Sequence, residues 1–391
     1  MKRNCPVCNE TKREFLIKQK FARISGGPDL SYTLVICKSC GVCFADDIPS
    51  QKVYDGYYKK FSKYEDTQGS GRHSSLMDAA HKRIGKIMAS YTPPSASVID
   101  IGCATGNVLR HLRDQGFKTL FGIDPSPECQ RVARERYGIN SKAVSLDDFK
   151  PSETYAAAIM SHVLEHIIDV AKSMTKIHRL LAPKGFLYIE VPAAHKFTEK
   201  PDGLFEHFSI EHINYFSPKT LEVLMNRHGF KKRMLKTVLN RSGFYPQFPV
   251  IISVWQKEQV LVARRPDRSL AADLRTYIAY CKRAMRPIEK KIDAIIRSKQ
   301  RIILWGAGSH TLKLFETTRL SKVRIGAIVD DTLSLQGKYI KGFRINSPGV
   351  ISPDLNLPIL ISSMHFQEQI AHRIQHQLGL ANRIIRLYPK K

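Results

Sequence analysis

Acidic side chains are scarce in this chain. Across 391 residues, 35 Asp and Glu stand against 62 Lys and Arg, a formal charge of +27 that favours anionic partners: RNA, DNA, an anionic lipid surface or a phosphorylated sugar. Yet the basic residues are dispersed through every segment rather than gathered in an aromatic-rich groove. No RNP-type, KH-type or helix-turn-helix signature is present, which argues against a dedicated nucleic-acid reader. Long apolar runs are also missing. Phe244 to Trp255 is broken by Pro246 and Pro249, and nothing approaches the ~20 residues of a membrane span. No apolar stretch follows Lys2 and Arg3, so no secretion signal is expected and the cytoplasm is the expected location. Low-complexity tracts and short repeats are absent, and 43% hydrophobic with 25% charged residues describes a globular chain long enough for two or three units.

Cysteine is unevenly spent. Five of the eight lie in the first 43 residues, where Cys5-Pro-Val-Cys8 and Cys37-Lys-Ser-Cys40-Gly41 form two C-x-x-C knuckles. Each knuckle puts two thiolates on one side of a tight turn, and the two together supply the four tetrahedral sulfurs that zinc prefers. Cys43 competes with Cys40 as the fourth ligand. Such a closed site has no open position, so its expected role is structural. The 28 residues from Asn9 to Ile36 are long enough for a hairpin between the knuckles. Cys103, Cys129 and Cys281 are scattered and read as buried free thiols.

The most informative segment is Val98-Ile-Asp-Ile-Gly-Cys-Ala-Thr-Gly106, followed by Phe121-Gly-Ile-Asp124. An apolar strand, a glycine turn, a helix and a second strand ending in an acid form a nucleotide-type cradle. Gly102 and Gly106 let the backbone turn and approach a ligand, and Asp124 can accept bonds from both ribose hydroxyls. Asp100, two residues before the first glycine, adds a carboxylate that suits a cationic cofactor better than a pyrophosphate, and the loop departs from G-x-G-x-x-G. The pattern resembles motif I of class I S-adenosylmethionine (SAM) methyltransferases.

Further alternation follows. Glu128 to Tyr137 reads as a helix, and Tyr155 to Met160 as a buried strand ending at Ser161-His-Val-Leu-Glu-His166. Leu180-Leu-Ala-Pro-Lys-Gly185 reads as a helix end and turn, and Phe186 to Pro192 as a strand. An α/β fold with a mostly parallel, doubly wound sheet is expected, its ligand lying beyond the carboxyl ends of the strands. The resemblance places adenine near Asp147 and counts Ser161 with the cofactor-binding residues. Upstream, Tyr54, Tyr58, Phe61 and Tyr64 cluster before a helix expected from Ser75 to Ala89. Tyr64 is a candidate cap over the cofactor or acceptor, with packing between modules as its other reading.

Glu206-His-Phe-Ser-Ile-Glu211-His212-Ile-Asn-Tyr215-Phe216-Ser217-Pro218 leads into a helix expected from Lys219 to His228. Here the chain resembles the sugar C-methyltransferases that act on nucleotide-linked keto-deoxysugars. The shared features are the four-cysteine knuckle, the Asp-Ile-Gly core, His166-Ile167 after the fourth strand, the Glu-His-x-x-Tyr-Phe-Ser motif and a C-terminal Rossmann-like domain. That resemblance implies that His212 removes a proton beside a ketone, with Glu211 as its neighbour and His166 on the opposite pocket wall. It also implies structural zinc, SAM as cofactor, and a nucleotide-linked sugar bound for a surface polysaccharide or glycosylated product. Ser209-Ile210 stands where that family carries Tyr-His, so the atom that receives the methyl is left open between carbon, oxygen and nitrogen.

Leu274 to Ser298 reads as a basic amphipathic helix, and Arg301-Ile-Ile-Leu-Trp-Gly306-Ala-Gly308-Ser-His310 with Ile325 to Asp331 as a second βαβ start. By the same resemblance Ser309, His310 and Lys338 line the acceptor pocket; a degenerate domain kept for packing or dimerisation is the other reading. The expected division is residues 1–65 for the zinc module with its linker, 66–245 for the SAM-binding domain and 246–391 for a helical linker with the second Rossmann-like domain. RNA methylation, O-methylation of another small molecule and a non-catalytic scaffold are the alternatives. Base-directed amino methyltransferases that resemble this core usually carry Asn/Asp-Pro-Pro-aromatic where Ser161-His-Val-Leu stands.

Overall fold

The hairpin expected between the knuckles forms as β1 (Arg13–Gln19) and β2 (Tyr32–Cys37). With β3 (Cys43–Asp46) and a later two-residue strand at Asn214–Tyr215 they make a four-stranded sheet in the order β1, β2, β3, Asn214–Tyr215. The computed structural model describes all residues except 1, 55, 57–74, 200–203, 241–247, 261–265, 353–355 and 390–391. Tyr64 lies outside the described residues.

Helix α1 (Ser75–Ala89) precedes a seven-stranded sheet. Its first strand, β4 (Val98–Ile101), is buried along its length, as a strand covered on both faces must be. Then come α2 (Asn107–Arg113), β5 (Leu120–Asp124), α3 (Pro127–Tyr137), β6 (Ser141–Ala143), β7 (Tyr155–Ser161), α4 (Val170–Leu180) and β8 (Leu181–Pro192). The two-residue strand is β9, and α5 (Pro218–Arg227), β10 (Phe230–Asn240) and β11 (Phe248–Lys257) complete the sheet. The spatial order is β10, β11, β8, β7, β4, β5, β6. Neighbours from β8 to β6 are parallel, whereas β10 and β11 are antiparallel additions.

Local chemistry sets the element ends. Ser126 caps α3 by accepting from the Cys129 N–H, Pro127 follows, and Gly138 closes the helix with φ of 60°. One expectation is revised: Ala-Pro-Lys-Gly185 does not separate helix from strand but bulges within β8. Leu181 already pairs with Tyr155, and the register shifts before Phe186 meets Ala157, with Lys184 at φ 64°.

The four-cysteine segment shares a core with the sheet. Cys5, Val7, Cys37, Val42 and Phe44 belong to the same buried cluster as Ile99, Met160, Ile189 and Trp255. Accordingly one compact unit contains Met1–Ile17, Leu34–Asp202 and Glu211–Tyr277. Gly41, at φ 84°, is obligatory in this packing, because a Cβ there would sit 1.9 Å from the Asp267 carbonyl oxygen.

The other unit comprises Lys18–Thr33, Gly203–Ile210 and Ile278–Lys391. Helix α6 (Ser269–Ser298) contributes its residues from Ile278 onward to this unit; it is five residues longer at its start than expected and carries Pro287 internally. Strands β12 (Ile302–Trp305), β13 (Ile325–Val329), β14 (Tyr339–Ile340), β15 (Phe343–Asn346), β16 (Ile359–Ile361) and β17 (Ile384–Arg386) order as β14, β15, β13, β12, β16, β17. All pairs but β14 with β15 are parallel. Among the described residues no helix is long and apolar enough to cross a membrane.

Candidate active site

Strand order reverses beside β4, and the carboxyl ends of β4 and β7 open there, where α/β sheets bind ligands. The turn after β4 holds Gly102 at φ 76°, Ala104 at 45° and Gly106 at 80°. Gly102 and Cys103 N–H groups both donate to the Ile123 carbonyl, at 2.7 and 3.1 Å. Asp124 then locks the turn: its Oδ2 accepts from the Ala104 N–H at 3.0 Å and its Oδ1 from the Ser126 N–H at 2.9 Å. Asp100 is buried, and burial together with the Asp124 charge pushes its carboxyl well above the ordinary range. Burial raises Asp124 as well, against the lowering effect of its two backbone bonds. One buried and one half-buried carboxylate thus share the cradle, an arrangement compatible with a positively charged ligand.

The remaining predicted cofactor residues sit differently. Ser161 ends β7 beside Glu190 of β8. Asp147 carries an exposed ion pair, its Oδ2 2.9 Å from Lys172 Nζ.

Beyond β7 the chain turns sharply. His162 adopts φ 56°, rare for a side chain with a Cβ, and Val163 folds over Gly102, where an added Cβ would meet Val163 Cγ2 at 2.5 Å. Val163 thus packs directly on the glycine turn. His162 Nδ1 is 3.0 Å from Glu165 Oε1 and its Nε2 3.5 Å from Glu190 Oε1. Burial opposes the imidazolium, but Glu165 and Glu190 raise it to about 10. Glu190 is held down to about 2 despite its burial, by His162, by Arg83 at 3.0 Å to both oxygens, and by the Tyr188 hydroxyl. This buried charge cluster was not among the expected site residues.

His166 and His212, 46 residues apart in sequence, come together edge to face with ring centroids 4.9 Å apart. The Glu211 carbonyl is 3.0 Å from His166 Nδ1; a carbonyl only accepts, so Nδ1 carries the proton. His166 Nε2 is 4.0 Å from Glu165 Oε1. Tyr215 donates its hydroxyl to the His212 carbonyl at 2.7 Å, Phe216 is in the core, and Ser217 caps α5. Much of the Glu-His-x-x-Tyr-Phe-Ser motif therefore builds the ledge on which His212 stands.

The four cysteine sulfurs of Cys5, Cys8, Cys37 and Cys40 lie within 4.8 Å of one another. Cys5 is 3.5 Å from Cys40 and Cys8 3.5 Å from Cys37, close to the ~3.8 Å edge of a tetrahedron with Zn–S bonds of about 2.3 Å. Cys43 is outside the group: it lies on β3, paired with Tyr215. The residues present fit a zinc ion.

The second unit repeats the lock of the first. Asp330 Oδ2 accepts from the Ala307 N–H at 2.6 Å and Oδ1 from the Thr332 N–H at 2.8 Å. His310 is buried beside Glu206, 3.9 Å away, and burial lowers its imidazole to about 4.

Residues 72–234 match the methyltransferase-domain family. The chain is a class I SAM-dependent methyltransferase. A second family, described as C2185-like, N-terminal, matches residues 298–385 of this methyltransferase. The C-methyltransferase NovU of Streptomyces niveus is 23% identical over 325 residues, 80% of this chain and 74% of that one. The dTDP-3-amino-3,6-dideoxy-alpha-D-glucopyranose N,N-dimethyltransferase of Streptomyces fradiae is 29% identical over 140 residues; the methyltransferase described here spans 53% of its length and matches with 31% of its own. A Burkholderia thailandensis 1,6-didemethyltoxoflavin-N1-methyltransferase structure with bound S-adenosylhomocysteine is 18% identical and covers 56% of this chain and 96% of its own, with a TM-score of 0.43.

Proposed function

We propose that this methyltransferase acts on a nucleotide-linked sugar, most specifically a keto-sugar, with His212 as the base. The observation that carries the reading is the His166–His212 pair joined to the SAM cradle through Val163 and Gly102. When bound, SAM supplies a sulfonium methyl open to attack. Asp124 holds its ribose, Asp100 faces its positive charge, and Gly102 and Gly106 give the backbone access. A carbon beside a ketone attacks only after losing a proton. An imidazole whose ordinary pKa of ~6.5 lies near working pH takes that proton, a contribution of about 10² to 10⁴ in rate. His166 presents its Nε2 side from the opposite wall, Glu211 fixes the His166 tautomer, and His212 returns its proton to solvent after transfer.

The reading extends to the whole chain. Residues 1–65 carry a structural zinc on Cys5, Cys8, Cys37 and Cys40; residues 66–245 bind SAM, with Asp147 and Ser161 at its edge. Residues 246–391 contribute a second Rossmann-like domain that holds the nucleotide, with the product destined for a polysaccharide and the enzyme working in the cytoplasm. The name of the Streptomyces fradiae relative supports sugar chemistry, that of the Streptomyces niveus relative supports transfer to carbon, and the repeated Asp330 lock supports a nucleotide in the second unit.

Mass spectrometry of nucleotide-linked keto-sugars and plain sugars, after incubation with the chain and SAM, tests the proposal. A methyl increment on a keto-sugar carbon is expected. Transfer to a hydroxyl or amine would reassign the methylated atom. No sugar product, with SAM bound and polyanion affinity falling steeply with salt, would turn the assignment to RNA.

A further inference from the structure

One buried cation takes no part in the chemistry just described. Arg3, two residues before the first zinc-ligand cysteine, is only 5% exposed, and its guanidinium keeps its charge there. Among the described residues no carboxylate is bonded to its fork. Nη1 donates to the carbonyls of Ala45 at 3.1 Å and Ile213 at 3.3 Å. Nη2 donates to the carbonyls of Ile168 at 2.6 Å and Ile167 at 3.5 Å, and to Asn214 Oδ1 at 3.0 Å. The guanidinium lies 5.8 Å from the centre of the Phe44 ring, and the Arg3 main-chain N–H is held by Asp46 at 2.8 Å.

These partners belong to three separate pieces of chain. Phe44 to Asp46 is the last strand of the cysteine segment; Ile167 and Ile168 immediately follow His166; Ile213 and Asn214 immediately follow His212. Asn214 closes the same knot by donating to the carbonyls of Leu164 at 3.0 Å and Ile167 at 2.7 Å, and Ile213 N–H donates to the Glu165 carbonyl at 2.8 Å. A packed apolar side chain would fill this space without the cost of burying a charge. Only a planar fork of five donors can satisfy carbonyls from three directions at once.

We propose that Arg3 is a positioning residue, which fixes the two loops carrying His166 and His212 in register by tying both to the four-cysteine knuckle. This deepens the proposed function, since it gives the zinc module a role in placing the catalytic imidazoles. It rests on the reading of His166 and His212 as catalytic, but its test does not require the acceptor.

The full chain and its Arg3→Lys and Arg3→Ala variants are compared by hydrogen exchange read by mass spectrometry, alongside SAM calorimetry. Exchange over residues 163–168 and 211–216 is expected to rise at least about 10-fold in both variants. Protection of residues 98–126 and SAM affinity should stay within about threefold. Millimolar methylguanidinium should restore protection in Arg3→Ala but not in Arg3→Lys, whose ammonium fills the cavity without the fork. Once an acceptor is known, turnover should fall roughly 100-fold at unchanged SAM KM. Unaltered exchange in the two loops would overturn the proposal, as would even loss of protection across residues 98–126, which makes Arg3 a folding residue only. If Arg3→Ala does not fold, the same two outcomes in Arg3→Lys decide the matter. A failed sugar assay with the expected exchange pattern would refute the acceptor and leave Arg3 in its role.

Discussion

Replacing His162 with Asn removes the cation between Glu165 and Glu190 while keeping a residue that tolerates the left-handed backbone at φ 56°. His162 rises from 6.5 to about 10 in the fold, a coupling of ~5 kcal/mol at about 1.4 per pKa unit. Because the folded pKa is raised, this stabilisation is complete below about 6.5 and vanishes as pH rises through about 10. The same attraction appears in Glu190, whose pKa falls from 4.5 to about 2; that contribution is present above 4.5 and lost as pH drops through about 2, and the two are not summed. With the His162 side chain 32% exposed, solvent screening trims the effect to about 2–4 kcal/mol at pH 7, shrinking to roughly 1 by pH 9. Trp255 belongs to the unit that holds His162 and Trp305 to the other, so a Trp305→Phe background lets urea unfolding be followed by Trp255 fluorescence alone. A His162→Asn penalty under about 0.5 kcal/mol at pH 7, or one that stays level to pH 9, would refute the paired imidazolium.

Asp124→Ala should abolish SAM binding in calorimetry, since it removes both the ribose acceptor and the bonds to Ala104 and Ser126; unchanged affinity would contradict the cradle. Asp100, whose carboxyl burial and the Asp124 charge push above the ordinary range, should ionise more readily when a cation arrives, so SAM affinity should rise with pH from acid toward neutrality, with proton release seen in buffers of different ionisation heat. Affinity independent of pH across that range would exclude Asp100 from facing the positive charge. Elemental analysis should find about one zinc per chain, and Cys40→Ser should lower both zinc content and melting temperature; full zinc in the variant would point to another ligand set.

The parts legible in the sequence are those whose chemistry is local. Two C-x-x-C knuckles announce their own geometry, and the Asp-Ile-Gly turn carries its glycines and acid within a few residues. Even there, discarding Cys43 required seeing it paired with Tyr215 on the next strand. The bulge of Ala-Pro-Lys-Gly185 was read as a turn because Pro and Gly punctuate both, and only the Leu181 pairing with Tyr155 separates them. His162, Glu190 and Arg83 stayed hidden because their meeting depends on the register of β7 against β8 and the packing of α1. Arg3 looked like one more base in a basic chain. The hydrogen-bond partners of its guanidinium lie 42 to 211 positions away, beyond any periodicity or spacing argument.

Proton removal by His212 beside the SAM cradle is the claim on which the functional account stands. Nucleotide-linked keto-sugars incubated in deuterated water with the chain and S-adenosylhomocysteine, which occupies the cradle without a methyl to give, isolate that step for NMR. The account predicts deuterium entering the carbon beside the carbonyl with the native chain, and a rate about 10² to 10⁴ lower in His212→Asn with cofactor affinity intact. Equal exchange in the two proteins would contradict it.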